Sequence, residues 1–288
     1  LLMEKTLRYV KWAGALLAVV GVIAGLLLTP GSLLRKADYI AAAVCHRRPS
    51  HSFFVAGRQL PLCQRCTGTF SGALTGILAH WLLWRRRRAQ RFPRWPIFAV
   101  VILFAALWGL DGLNSTTSDS LPHEFAALLF DRPPGVGLLG YRPQPWLRLI
   151  SGVLMGMGMS ILLIPAFNQT LWADGVQERT VRSMGELGLL ILIELSTAGV
   201  IGLLIAWSSR LALYIVALYG VLGVLTMFVL LGAMMYALIF ESRAQVTSWR
   251  AAWGALAWGV VFALGVVVVM DVIRLQLTGT LDGVPGLS

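Results

Sequence analysis

Cys45, Cys63 and Cys66 are the only cysteines of the chain, and they sit together in one short polar segment. Cys63 and Cys66 form a C-x-x-C pair, His46 follows Cys45 directly, and His51 lies a little further on. Free cysteine normally scatters through apolar cores as a small hydrophobe. Concentration of all three beside two histidines points instead to a shared chemical task. Three chemistries suit the pattern. The thiolates can hold a metal ion with His46 or His51 as fourth ligand, since Cys3His is an ordinary tetrahedral zinc set and C-x-x-C supplies two ligands from one turn. The same soft donors leave Cu(I) and iron open. Alternatively, Cys63 and Cys66 act as a redox pair at a helix N-terminus, where the helix dipole favours the thiolate, with Cys45 as relay. In the third, a disulfide staples an extracytoplasmic loop and one thiol is spare.

The elements that must position this segment are membrane helices. The chain is 57% hydrophobic and only 13% charged, against about a quarter charged in soluble domains, and its mean hydropathy is +0.75. A helical span needs roughly 20 mostly apolar residues. Continuous apolar runs exclude a β-barrel, whose strands alternate. The expected fold is an all-α polytopic bundle with about seven transmembrane helices, near 13–29, 66–84, 96–110, 146–167, 187–207, 211–240 and 253–273. The third is short, and a polar connection from Asp111 to Pro145 follows it. Lys5, Arg8 and Lys11 precede the first run without a small-residue cleavage site, which reads as a retained first span.

The net charge of +11 does not indicate nucleic acid. Arg85, Arg86, Arg87, Arg88, Arg91 and Arg94 cluster between two apolar runs, as a topology signal and lipid-headgroup contact. Placing them in the cytoplasm puts the N-terminus there too. The cysteine segment, the loop after Asp111 and the C-terminal tail then face outward, although the cysteine loop carries basic residues of its own. The expected location is the cell (inner) membrane, with lipid as partner.

A few polar residues break the apolar pattern. Asp111 ends the third span on the cysteine side. It reads either as a solvated helix end or as a carboxylate that orients His46 or joins the ligands. Arg148 would pair with Asp111 or snorkel to headgroups. His123 and Glu124 read as solvated loop residues. Glu194 lies inside the fifth span, where a carboxylate is a functional candidate by default. Its bland version is a protonated acid bonded to Ser or Tyr of the sixth or seventh span. Asp271 and Arg274 are spaced to pair locally. Gly68, Gly72 and Gly76, with Gly152 and Gly156, form small-residue faces on which two helices can approach closely. That packing would bring Cys66 near Arg148.

At these residues the chain resembles a family of predicted prokaryotic membrane proteins known as domain of unknown function 2085. The resemblance rests on Cys45-His46, Ser52-Phe53-Phe54 and the run from Gln59 to Gly68, then Asp111-Gly112 and the run from Leu147 to Gly152. It covers about residues 37–165 and implies a compact core of spans, but no activity. The expected division is a four-span module, 1–168, carrying the Cys-His segment, and an added three-span module, 169–288. No nucleotide motif, HExxH, GxSxG or catalytic acid pair is present. The expected function is therefore an integral membrane protein with an extracytoplasmic Cys/His metal site, formed by Cys45, His46, Cys63 and Cys66. It would serve as a structural or accessory subunit beside other membrane proteins. A quinone-linked thiol oxidoreductase, and a metal-dependent enzyme or transporter with Glu194 in its path, are the alternatives.

Overall fold

A computed structural model describes residues 2–82, 88–120, 135–240 and 246–282. Trp84, Arg85, Arg86, Arg87, His123 and Glu124 lie outside the described residues. Among the described residues there are eight α-helices: α1 (Leu2–Leu28), α2 (Leu33–Ala42), α3 (Gln64–Leu82), α4 (Trp95–Ser120), α5 (Pro145–Leu171), α6 (Met184–Trp207), α7 (Arg210–Phe240) and α8 (Trp249–Thr278). Two small two-stranded sheets accompany them. One is an antiparallel hairpin of β1 (Ser52–Val55) and β2 (Arg58–Cys63); in the other, β3 (Ala89–Arg91) lies parallel to β4 (Val176–Arg179).

Among the described residues six helices, α1 and α4 to α8, are long and apolar enough to cross a membrane. The expected second span, α3, is not among them. It is 19 residues long and carries Gln64, Arg65, His80 and a series of Thr, Ser and Gly residues, most of them buried. Such a helix stays out of lipid by being enclosed in protein, and α3 packs against α5, α6 and α7. Its glycines make the enclosure close. A Cβ on Gly72 would lie 2.4 Å from the Val153 carbonyl oxygen, and one on Gly156 2.0 Å from that of Thr69. The small-residue faces of α3 and α5 therefore pack on each other, as expected for helices in lipid. The outer helices expose long apolar faces instead; α1 lies along α8, with Trp12 and Trp253 rings 5.2 Å apart.

The third span departs from expectation in length. α4 runs to Ser120, so Asp111 lies inside the helix and not at its end. In the polar turns beyond Asp111, the Thr116 and Thr117 hydroxyls are satisfied on the carbonyls of Gly112 and Leu113, at 3.0 and 2.9 Å, and Asn114 binds the returning loop through Leu139 and Tyr141.

The bundle has two distinct ends. At one, β3 and β4 join the connections after α3 and α5, where Arg88 pairs with Asp174 and lies over the Trp172 ring. At the other lie the cysteine segment, the hairpin, the polar end of α4, the start of α5 and the C-terminus of α8.

Candidate functional site

Local backbone geometry builds the cysteine site. α2 stops at Ala42, and the Cys45 N–H still bonds the Ala41 carbonyl at 2.9 Å. The chain then reverses at Arg47, whose φ of 54° is the left-handed conformation that few side chains adopt. Buried contacts hold this turn. The Arg47 guanidinium donates to the Pro61 carbonyl at 3.1 Å and to the Leu281 carbonyl at 3.0 Å, and pairs with Asp38 at 2.8 Å. Arg58 reaches the second oxygen of Asp38 at 2.8 Å. Burial pushes the Asp38 carboxyl up from its usual range, while Arg47 and Arg58 pull the other way.

The hairpin then delivers the C-x-x-C. Ala56 and Gly57 both have positive φ, 50° and 76°, the requirement of a two-residue type I′ turn. The register places Ser52 opposite Cys63. α3 begins at the next residue, so Cys66 sits in its first turn. The Cys63 N–H donates to the Cys45 Sγ at 3.2 Å, and the Cys66 N–H to the Cys63 Sγ at 3.5 Å.

All three cysteines are free thiols, and their sulfurs lie within 4.8 Å of one another. They are packed among Ala41, Leu62, Phe70, Val224 and Phe228, so α7 closes the apolar side. Hydrogen bonding from Cys45 and Cys66 holds the Cys63 thiol well below the ordinary range against the cost of burial, with His46 contributing. Cys45 is pushed up to about 12, chiefly by its bond to Cys63. Of the three thiols, Cys63 is thus the one that its neighbours favour as the thiolate.

The two histidines are separated in role. Their rings meet edge to face, with centroids 5.3 Å apart. His46 is exposed, its Nδ1 accepts the Arg48 N–H at 3.0 Å, and its ring interacts with Cys63. His51 is buried, and its Nε2 lies 3.4 Å from the Arg148 guanidinium. Arginine only donates, so His51 accepts there. Of the two, His46 is the one whose ring interacts with a cysteine of the cluster.

Asp111 and Arg148 require correction. Asp111 does not orient His46, and Arg148 does not pair with it. Arg65, between the two C-x-x-C cysteines, pairs with Asp111, whose other oxygen accepts the Tyr141 hydroxyl at 2.9 Å. Arg148 is buried rather than snorkelling to headgroups. It is 6% exposed and donates to Ser115 Oγ and Gln64 Oε1, both at 3.1 Å. Arg65 also reaches Ser115, at 3.2 Å. The glycine contact of α3 with α5 thus brings Arg148 to the start of α3, to Gln64 rather than Cys66. A hydrogen-bonded chain runs from Asp111 through Arg65, Ser115 and Arg148 to His51, whose ring meets that of the exposed His46 beside the sulfurs. Burial pushes the Tyr141 phenol up to about 12, and its bond to Asp111 adds to this.

The sequence reading missed one clamp altogether. Arg274 of α8 donates to the carbonyls of Ala42, Cys45 and His46, the first at 2.9 Å and the last at 3.0 Å. Asp282 pairs with Arg35 at 2.6 Å. Spacing on α8 suggested only a local partnership of Arg274 with Asp271, and no one-dimensional signal links position 274 to position 45. Glu194 lies apart from the cysteine site, in the middle of α6. It is 0% exposed, and neither oxygen has a hydrogen-bond partner among the described residues. The expected bond to Ser or Tyr of the next spans is not made.

Comparison with known proteins places this geometry. A family model described as a predicted membrane protein, domain of unknown function 2085, matches residues 45–162. The match opens at Cys45 and takes in His46, the C-x-x-C, Asp111 and Arg148, while Asp38, Glu194 and Arg274 fall outside it. An uncharacterised protein of Methanocaldococcus jannaschii is 34% identical over 134 residues, 46% of this chain and 69% of that protein. An uncharacterised protein of Methanothermobacter thermautotrophicus is 42% identical over 40 residues, 14% of this chain and 36% of that protein. No solved structure matches the chain. The chain belongs to the predicted membrane protein family known as domain of unknown function 2085.

Proposed function

We propose that the protein is a membrane subunit whose Cys45, His46, Cys63 and Cys66 bind one metal ion, zinc in first place, as a structural clasp on the outer face of the bundle. The observation that carries the reading is the mutual approach of three free sulfurs within 4.8 Å. Zinc–sulfur bonds of about 2.3 Å put tetrahedral sulfurs roughly 3.8 Å apart, so closure needs shifts of less than about 1 Å. N–H groups already point at two of the sulfurs, which supports thiolate ligands. Three thiolates around a divalent ion leave one net negative charge, and Arg274 and Arg47 stand around the Cys45–His46 turn to offset it. An ion there would tie the end of α2, the hairpin and α3 into one unit, which suits a docking surface for a neighbouring membrane protein.

The outward orientation rests on charge. Several of the basic residues on the cysteine side are buried or committed to partners, as Arg47, Arg65 and Arg148 are. They do not count as free loop charge, which lessens the conflict with the positive-inside pattern.

Elemental analysis of the full chain, purified in detergent without chelator, tests the clasp. About one zinc, copper or iron per chain, lost in Cys63→Ser, is the expected result. Metal-free protein with reactive thiols would reject it. A second reading, a thiol oxidoreductase using Cys63 and Cys66, draws on the depressed Cys63 thiol. It predicts metal-free protein whose Cys63–Cys66 disulfide forms reversibly with a quinone, the two thiols becoming a disulfide as the quinone becomes a quinol.

A further inference from the structure

Glu194 is the feature that the cysteine clasp does not use. It lies ten residues into α6, about 15 Å along a helix about 36 Å long, and so at the depth of a bilayer centre. Its carboxyl faces α3 at the place where α3 has no side chain. A Cβ built on Gly76 would lie 3.3 Å from Glu194 Oε1 and 2.1 Å from Ser160 Oγ of α5. Ser160 is fully buried and donates its proton to the Met157 carbonyl at 2.8 Å, leaving its oxygen as an acceptor on the same notch. An unpartnered carboxylate in such a place costs several kcal/mol, whereas a protonated acid has a proton to donate.

The next turn of α6 carries a hydroxyl toward the outside of the bundle. Thr197 Oγ1 lies 3.4 Å from Thr75 Oγ1 of α3, and Thr75 lies 2.8 Å from the Tyr219 hydroxyl of α7. Thr197 and Tyr219 also line an open cavity of about 550 Å³ between α6 and α7, whose other walls include Ser196, Val200, Ile201 and Val216. A chain of hydroxyls thus lies between a membrane-facing groove and a buried acid.

We infer that Glu194 is a proton-binding site at the centre of the membrane, seated with Ser160 in the Gly76 notch and exchanging its proton through the Thr75–Tyr219–Thr197 hydroxyls. The ligand is a proton, the acid holds it in the resting state, and hydroxyl-bearing side chains hand it on. This site is independent of the metal clasp, so its failure leaves the clasp standing.

Infrared spectroscopy of the full chain in lipid nanodiscs tests it. The expected result is a carboxylic-acid carbonyl band that shifts on transfer to D2O, is absent in Glu194→Gln, and exchanges more slowly in Tyr219→Phe. A band that D2O leaves in place marks a sealed structural acid and overturns the proposal, as does the absence of a band. A hydrophobic carbodiimide gives a second readout on the wild-type chain, whatever the variants do. The acid O–H adds across the C=N bond to give an acylisourea, which rearranges to an acylurea with no leaving group. Peptide mass spectrometry should find this adduct on Glu194 and not on Glu186 at the exposed start of α6; an unlabelled Glu194 contradicts the lateral route.

Discussion

Replacing Asp111 with leucine isolates its ion pair with Arg65, which stands where Arg148 was the expected partner. Arg65 and Asp111 are 18% and 4% exposed at their side chains, so the pair is shielded from solvent on the acid's side. Removing one member of a buried pair costs about 3–5 kcal/mol, because the other charge is left uncompensated. Arg65 keeps some relief from Ser115 Oγ at 3.2 Å and from the Trp108 ring, 6.0 Å away, and it is partly solvated. The lower end, about 3 kcal/mol, is therefore expected for Asp111→Leu, roughly a hundredfold in the folded-to-unfolded ratio. Arg65→Met combined with Asp111→Leu removes both charges and should lose clearly less than the sum of the two single changes. Equilibrium unfolding in bicelles, followed by tryptophan fluorescence, supplies all four corners of the cycle. Additive losses, or a change of under about 0.5 kcal/mol for Asp111→Leu, would refute the assigned pairing.

Three more outcomes follow from the same geometry. Gly72→Val drives a side chain into the Val153 backbone, whereas a Cβ on Gly188 meets nothing within 4 Å; size-exclusion chromatography should show loss of folded protein for Gly72→Val and a normal profile for Gly188→Val. The Tyr141 phenol, raised from 10.0 to about 12, binds its proton more tightly when folded. Its contribution to stability is complete below about pH 10 and is lost as pH rises through about 12, and Tyr141→Phe should flatten that part of a stability-against-pH curve. Arg274→Gln removes charge and donors from the carbonyls of Ala42, Cys45 and His46, so metal should dissociate faster from this variant in a chelator competition. An unchanged off-rate would show that α8 merely touches the site.

What could be read in advance divides along physical lines. The sulfur cluster and the α3–α5 contact were legible because each is carried by local spacing: C-x-x-C on one turn, glycine at every fourth position. The hairpin was not, since Pro61 interrupts β2 and a proline usually argues against a strand; here its carbonyl serves Arg47, and the Ala56–Gly57 turn was the usable signal. The length of α3 suits a span, but its Gln64, Arg65, His80, Thr and Ser residues call for enclosure by other helices. Asp111 and Arg148 were rightly placed at the cysteine end, but their partners were not, because Arg65 and Ser115 intervene between them. Arg274 could not be anticipated, as only tertiary structure brings the end of α8 to the end of α2. Glu194 stood out in the sequence as a carboxyl in an apolar run, and the fold removed the partners expected for it.

X-ray absorption at the metal edge of the purified full chain reads the proposed metal clasp itself. The expected result is a four-coordinate shell with three sulfurs at about 2.3 Å and one imidazole nitrogen at about 2.0–2.1 Å, the nitrogen lost in His46→Ala and a sulfur lost in Cys45→Ser. A shell of oxygen and nitrogen alone, or protein that carries no metal, would contradict it.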